Sequence, residues 1–334
     1  MTTSRRAALA LPAALLAAPA LAQMAAPAGW TPSRTVRIVV PIAPGGANDI
    51  IARLLAERLT ALLGQTVIVE NRPGAGGNIG AQSVLQAEKD GHTFLLTSAN
   101  VLTANTFLYG NRMPFNAVRD FAPVTRVGTG TLLWVVNAQR PYRDFAAQIA
   151  YAKANPGRVT MGSSGTGTIS HLYFEKVKRA TGTDMTHVPY RGGGPAIQDL
   201  ISGNIDMMFD VMPALLPHVR EGRLRALAVG SAQRVDYVPE IASVPGMAEL
   251  LPGAEIDALN WWCIAAAMGT PPAAIQGMHH AVARVLAQPE VRERLLGLTV
   301  MPTVDASPEA FGAFWQSQIP IWQELVTASG ATAE

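Results

Sequence analysis

One cysteine, 15% charged residues and 6% aromatics are the shortages of this 334-residue sequence. Cys263 alone cannot form an intramolecular disulfide, so the core must hold the chain together. It stands beside Trp261 and Trp262 in an apolar run, which suits burial better than thiol chemistry. An excess of one charge is also missing. The formal net charge is +2, and without Arg5 and Arg6, in a segment expected to be removed, basic and acidic residues balance at 24 each. With no basic stripe carrying interleaved aromatics, nucleic acid is not an expected partner. No H-x-x-x-H, C-x-x-C or dense carboxylate cluster occurs, so neither a metal nor a cofactor is expected. No apolar run after the N-terminus has the length and character of a membrane span.

What is present begins with a targeting pattern. Ser4-Arg5-Arg6 precedes the apolar run Ala7 to Ala22, which ends in Ala20-Leu21-Ala22. A charged start, a short apolar stretch and a small-x-small site describe a secretory signal peptide over residues 1–22, cleaved near Ala22. The adjacent arginines also permit the twin-arginine route. The mature chain is therefore expected in the periplasm. Its length allows two domains, and a hydrophobic content of 49% places it among globular proteins.

Strand-like and helix-like patterns then alternate. Ile38 to Val40 reads as a buried strand stopped by Pro41 and Pro44. Gly45-Gly46 follows, and Asn48 or Asp49 is placed to cap a helix whose apolar face holds Ile51, Leu54, Leu55, Leu59 and Leu62. Further strands are expected at Val67–Glu70 and Phe94–Thr97, and a helix over Ile79–Ala87. A β-rich stretch, Val124 to Asn137, leads to a second alternating block from Phe145 to Val229, inserted within the first. Beyond it come less regular packing and two helices, about Ala274–Ala287 and Pro308–Ala328. Phe311, Trp315, Ile319 and Trp322 recur there at helical spacing, as core residues do. Such alternation implies an α/β fold with a mainly parallel sheet.

Glycine-rich turns at strand ends invite nucleotide readings, which their spacing rejects. From Gly74 the sequence puts Ile79 where G-x-G-x-x-G needs its third glycine. The Gly162 stretch lacks a Gly-Lys-Ser/Thr ending, and Thr166 breaks G-x-S-x-G around Ser164. Ser163 or Ser164 with His171 leaves a hydrolase as one alternative. The remaining reading is a cleft between two α/β units. Its Gly/Ser/Thr turns, with Asp210 at a strand end, offer N–H and hydroxyl donors to a small carboxylate.

Ordered motifs carry a resemblance. They run Val40-Pro-Ile-Ala-Pro-Gly-Gly-Ala-Asn-Asp49, Glu70 to Gly80, Asp120-Phe-Ala-Pro-Val124, Ser163-Ser-Gly-Thr-Gly-Thr168 with His171, and His187 to Ala196. Met208-Phe-Asp210, Arg225 to Val229 and Gly269-Thr-Pro271 follow in order. The chain resembles the Bug/TctC family of periplasmic solute-binding proteins. That implies a two-domain Venus-flytrap fold with two crossing segments and a ligand cleft between the domains. Domain 1 would hold residues 30–130 and 231–334, and domain 2 residues 131–230. The same resemblance implies a ligand carboxylate gripped by Ala43, Pro44, Gly45, Gly46, Asn48 and Asp49, with Ser98 and Asn100 on a further loop. The facing domain would offer Ser163, Ser164, Gly165, Thr166 and His171, with Arg191, Gly192, Gly193 and Asp210 nearby. It implies a monomeric, non-enzymatic receptor delivering a small carboxylate to the permease of a tripartite tricarboxylate transporter, or alternatively a sensory module. Ile42 stands where the family commonly has Phe, and Ala47-Asn48 where it has Ser-Thr. Arg191 replaces a frequent Lys, and Cys263 a usual Gly.

Overall fold

A computed structural model describes residues 30–236 and 238–332. The expected signal peptide lies outside them. Ten strands form the sheet: β1 (Val36–Val40), β2 (Val67–Asn71), β3 (Thr93–Ser98), β4 (Phe121–Asn137), β5 (Thr160–Ser163), β6 (Thr186–Pro189), β7 (Met207–Val211), β8 (Leu224–Val229), β9 (Leu259–Ala267) and β10 (Met301–Pro302). Their order is β2-β1-β3-β9-β4-β7-β5-β6, with β8 and β10 also paired to β4.

The sheet is mixed, which corrects the expectation of a mainly parallel one. β1 runs parallel to β2 and β3, and β5 parallel to β6 and β7. Every pairing of β4 is antiparallel, as is β3 with β9. The cause is β4 itself. Its first part pairs with β9 and its second with β7 and β8, so one 17-residue strand links two parallel groups without a crossover helix. The returning chain lies beside it: Gly230 N–H donates to Leu132 O (2.8 Å), Ala258 N–H to Gly230 O (2.8 Å), and Thr131 Oγ1 to Ala258 O (2.8 Å). The result is two α/β halves joined by two adjacent crossing segments.

The core follows from the apolar runs. Trp134 on β4 packs edge-on against Phe145 at 5.2 Å and tilted against Phe209 at 5.1 Å, and its indole N–H reaches Gln148 Oε1 at 2.6 Å. The helix Pro308–Ser329 buries Phe311, Trp315 and Trp322, with Ile319 only partly covered. Burial of each such ring contributes roughly 1.5–3 kcal/mol. Trp315 Nε1–H also donates to Leu102 O at 2.9 Å, which ties this helix to the first half. Cys263 is fully buried on β9, and burial pushes its thiol well above the ordinary range. Two elements differ from expectation: Leu259–Ala267 is a strand, and a separate helix, Pro289–Gly297, precedes the last one. The strand's run of Trp, Cys, Ile and Ala carries no period-2 alternation because both of its faces are covered.

Candidate functional site

Loop one, after β1, is set by charge and glycine rather than by a side-chain cap. Gly46 caps the helix Ala47–Leu63, and Gly45 takes φ 83°. The expectation that Asn48 or Asp49 caps this helix is corrected. Asp49 instead accepts Gly45 N–H (3.0 Å), Asn71 Nδ2–H (3.0 Å) and Arg53 Nε–H (3.1 Å). Burial pushes its carboxyl up, but these donors outweigh burial and hold it below the usual carboxylate range. Asn48 Oδ1 accepts the indole N–H of Trp262 at 2.9 Å.

A second loop, Gly74 to Gly77, has four consecutive residues with positive φ (129°, 48°, 61° and 99°). The loop closes on itself, Gly77 N–H donating to Gly74 O at 3.0 Å. Gly76 O is held by Asn100 Nδ2–H (3.3 Å) and Asn105 Nδ2–H (3.1 Å), and Ser98 Oγ–H donates to Asn100 Oδ1 at 2.9 Å. The glycine run rejected as a dinucleotide motif therefore shapes this wall.

From the other half come the loop after β5 and the turn after β6. Ser163 Oγ accepts Gly165 N–H at 3.1 Å and pairs with His187 Nε2 at 2.6 Å. His187 stacks on His171 with centroids 3.9 Å apart, and His171 Nδ1 accepts Gly167 N–H at 3.1 Å. Burial pushes His171 down to about 4, and burial together with the adjacent His171 pushes His187 down to about 3. Both rings are thus neutral supports of the loop. Ser164 Oγ–H donates to Asp210 Oδ2, while Asp210 Oδ1 accepts Val211 N–H at 2.7 Å. Burial raises the Asp210 carboxyl, and these donors oppose the rise. His171 is not bonded to either serine, so the nucleophile and base of the hydrolase alternative are not assembled. Ser163 does meet a histidine, His187, but is itself fully buried.

The halves touch backbone to backbone. Ala43 N–H donates to Arg191 O at 3.0 Å. A Cβ on Gly192 would lie 2.7 Å from Ala43 N, one on Gly46 3.5 Å from Gly193 N, and one on Gly76 3.2 Å from Thr166 O. Between them is a cavity of about 250 Å³. Arg191 is its one cationic lining residue; it is exposed, and among the described residues only its backbone oxygen has a bonded partner, Ala43 N–H. Of the expected site residues, Asn48, Ser98, Asn100, Ser164, Gly165, Thr166, Arg191 and Asp210 line this cavity. Ala43, Pro44, Gly45, Gly46, Gly192 and Gly193 form the contact beside it. Asp49, Ser163 and His171 stand behind the loops and brace them. The sequence reasoning missed Gly74–Gly77, Tyr109, Tyr190 and Asn260, which also line it. Glycine density flagged the first of these; nothing local flags Asn260, an interior strand residue.

Comparison with known proteins adds four findings. The profile described as "Tripartite tricarboxylate transporter family receptor" matches residues 51–330. Protein BugT of Bordetella pertussis is 36% identical over 315 residues, covering 93% of this chain and 95% of that one. An R. palustris protein solved with adipate superposes with a TM-score of 0.84 at 31% identity, over 90% of this chain and 99% of the other. MatC from Rhodopseudomonas palustris, solved with bound malate, gives 0.80 at 31%, over 88% and 99%.

Proposed function

Since the chain belongs to the tripartite tricarboxylate transporter receptor family, we propose that it is a monomeric periplasmic receptor that captures a small carboxylate and delivers it to a membrane permease. It has no catalytic role in this reading. The observation that carries the proposal is the cavity between the halves, lined by polar loops from both and with Arg191 as its one cationic lining residue. The helix N-terminus at Ala47 and Asn48, the backbone at Ala75 and Gly76, the Thr166 hydroxyl and Arg191 are the donors this reading offers an anion. Both Asp210 oxygens are already engaged by Ser164 and Val211, so its carboxyl braces the wall. Adipate and malate in related proteins support the ligand class.

In this reading residues 30–130 and 231–334 form one domain and 131–230 the other. The hinge lies where β4 and the returning chain cross, at Gly130–Leu132 and Gly230. Ligand closes the domains, and the permease recognises the closed shape. A thermal-shift panel of mono-, di- and tricarboxylates, acidic amino acids and aromatic acids tests the proposal. At least one acid should raise Tm, and the absence of any shift across the panel at millimolar concentration would sink it.

A further inference from the structure

Two of the residues lining the cavity carry buried polar atoms with no protein partner: Asn48 Nδ2, Asn260 Nδ2 and Asn260 Oδ1. Asn48 is 4% exposed and Asn260 fully buried. Buried amides left unpaired are costly, so the cavity is where their partners must come from. The orientation of Asn48 is fixed by chemistry. Trp262 Nε1–H can only donate, so the atom it meets is the Asn48 oxygen, and Nδ2 is left as a donor. Asn260 and Trp262 are two apart on β9 and share a face, and Asn48 and Asn260 both line the one cavity.

We infer that Asn48 and Asn260 form a second anchor in the cavity, one that takes a hydroxyl group of the ligand. The inference rests on the receptor reading above and narrows the ligand to a hydroxy-carboxylate. The unmet set is two donors and one acceptor. An ionised carboxylate only accepts, so it leaves Asn260 Oδ1 bare, and a methylene satisfies none of the three. An alcohol donates one hydrogen and accepts on two lone pairs, which matches the set. A site built to bond a hydroxyl rejects the analogue that lacks it, because the buried amides then stay unpaired.

The test is a calorimetric comparison of acids that differ by one hydroxyl: succinate with malate, propionate with lactate, butyrate with 3-hydroxybutyrate. The hydroxy acid should bind at least tenfold more tightly in one or more pairs. In Asn260→Ala that preference should shrink to within about threefold, the larger loss falling on the hydroxy acid. Should Asn260→Ala not fold, Asn48→Thr with the same pairs serves, and the unmodified protein alone already decides the preference. Equal binding of both members in every pair overturns the hydroxyl anchor and leaves the receptor reading standing. Failure of both members in all pairs, with no other acid bound, overturns the receptor reading and this inference with it.

Discussion

Gly194→Ala separates closure from folding. Gly194 lies in the first turn of the helix Gly193–Ser202 and does not have a left-handed backbone, so alanine fits its conformation. Within its own half the change is neutral or stabilising, by up to about 1 kcal/mol of helix propensity. Across the cleft it is not tolerated. The new methyl would overlap the Pro44 carbonyl oxygen and sit 3.3 Å from its carbon and 3.6 Å from Gly45 Cα, all backbone atoms that cannot rotate away. Relief requires the loops to part by roughly 1 Å, which takes the 3.0 Å bond from Ala43 N–H to Arg191 O out of bonding range. Losing that bond costs about 1 kcal/mol, and the contacts sealing the cavity go with it. Affinity for the bound acid should therefore fall at least about tenfold, the equivalent of 1.4 kcal/mol. Calorimetry gives the affinity, Tm without ligand gives the stability, and small-angle scattering gives the compaction on binding. Wild-type affinity and compaction in Gly194→Ala would refute the closure account.

Other outcomes follow from the same geometry. Arg191→Ala should lower affinity for the acid about tenfold or more, and Arg191→Lys should recover part of it, measured by titration at low and at physiological salt. Asp49→Ala removes the acceptor shared by Gly45, Asn71 and Arg53; a loss of about 1–3 kcal/mol in urea unfolding is expected, and an unchanged midpoint would count against its bracing role. His171 and His187 remain neutral in the fold well below 6.5, while the unfolded chain protonates there. Stability should be full above about pH 6.5 and fall as pH drops towards 4, by on the order of 2–3 kcal/mol per unit for the two together. Urea titrations at pH 7 and pH 5 that agree would contradict their burial as neutral rings.

Much of this arrangement was legible from residue pattern, because strands, glycine turns and helix faces are local features. Ile38–Val40 followed by Gly45-Gly46 announced a strand and an exposed loop, and the structure places that loop at the contact between the halves. The antiparallel share of the sheet was not legible, since β4 and β9 pair across more than a hundred residues of chain. The role of Asp49 was missed for a related reason: its partner Asn71 ends a different strand. Asn260 could not be singled out at all. A buried asparagine in a strand becomes informative only when its neighbours fail to bond it, and that is a property of three-dimensional packing.

The central claim is that an anionic carboxylate is held between the halves. Calorimetric titration of the tightest acid from the panel beside its neutral primary amide tests this most directly. The account predicts one site per chain for the acid and at least tenfold weaker binding for the amide, with the difference largely abolished in Arg191→Ala. Equal binding of acid and amide, or an acid affinity indifferent to Arg191, would contradict it.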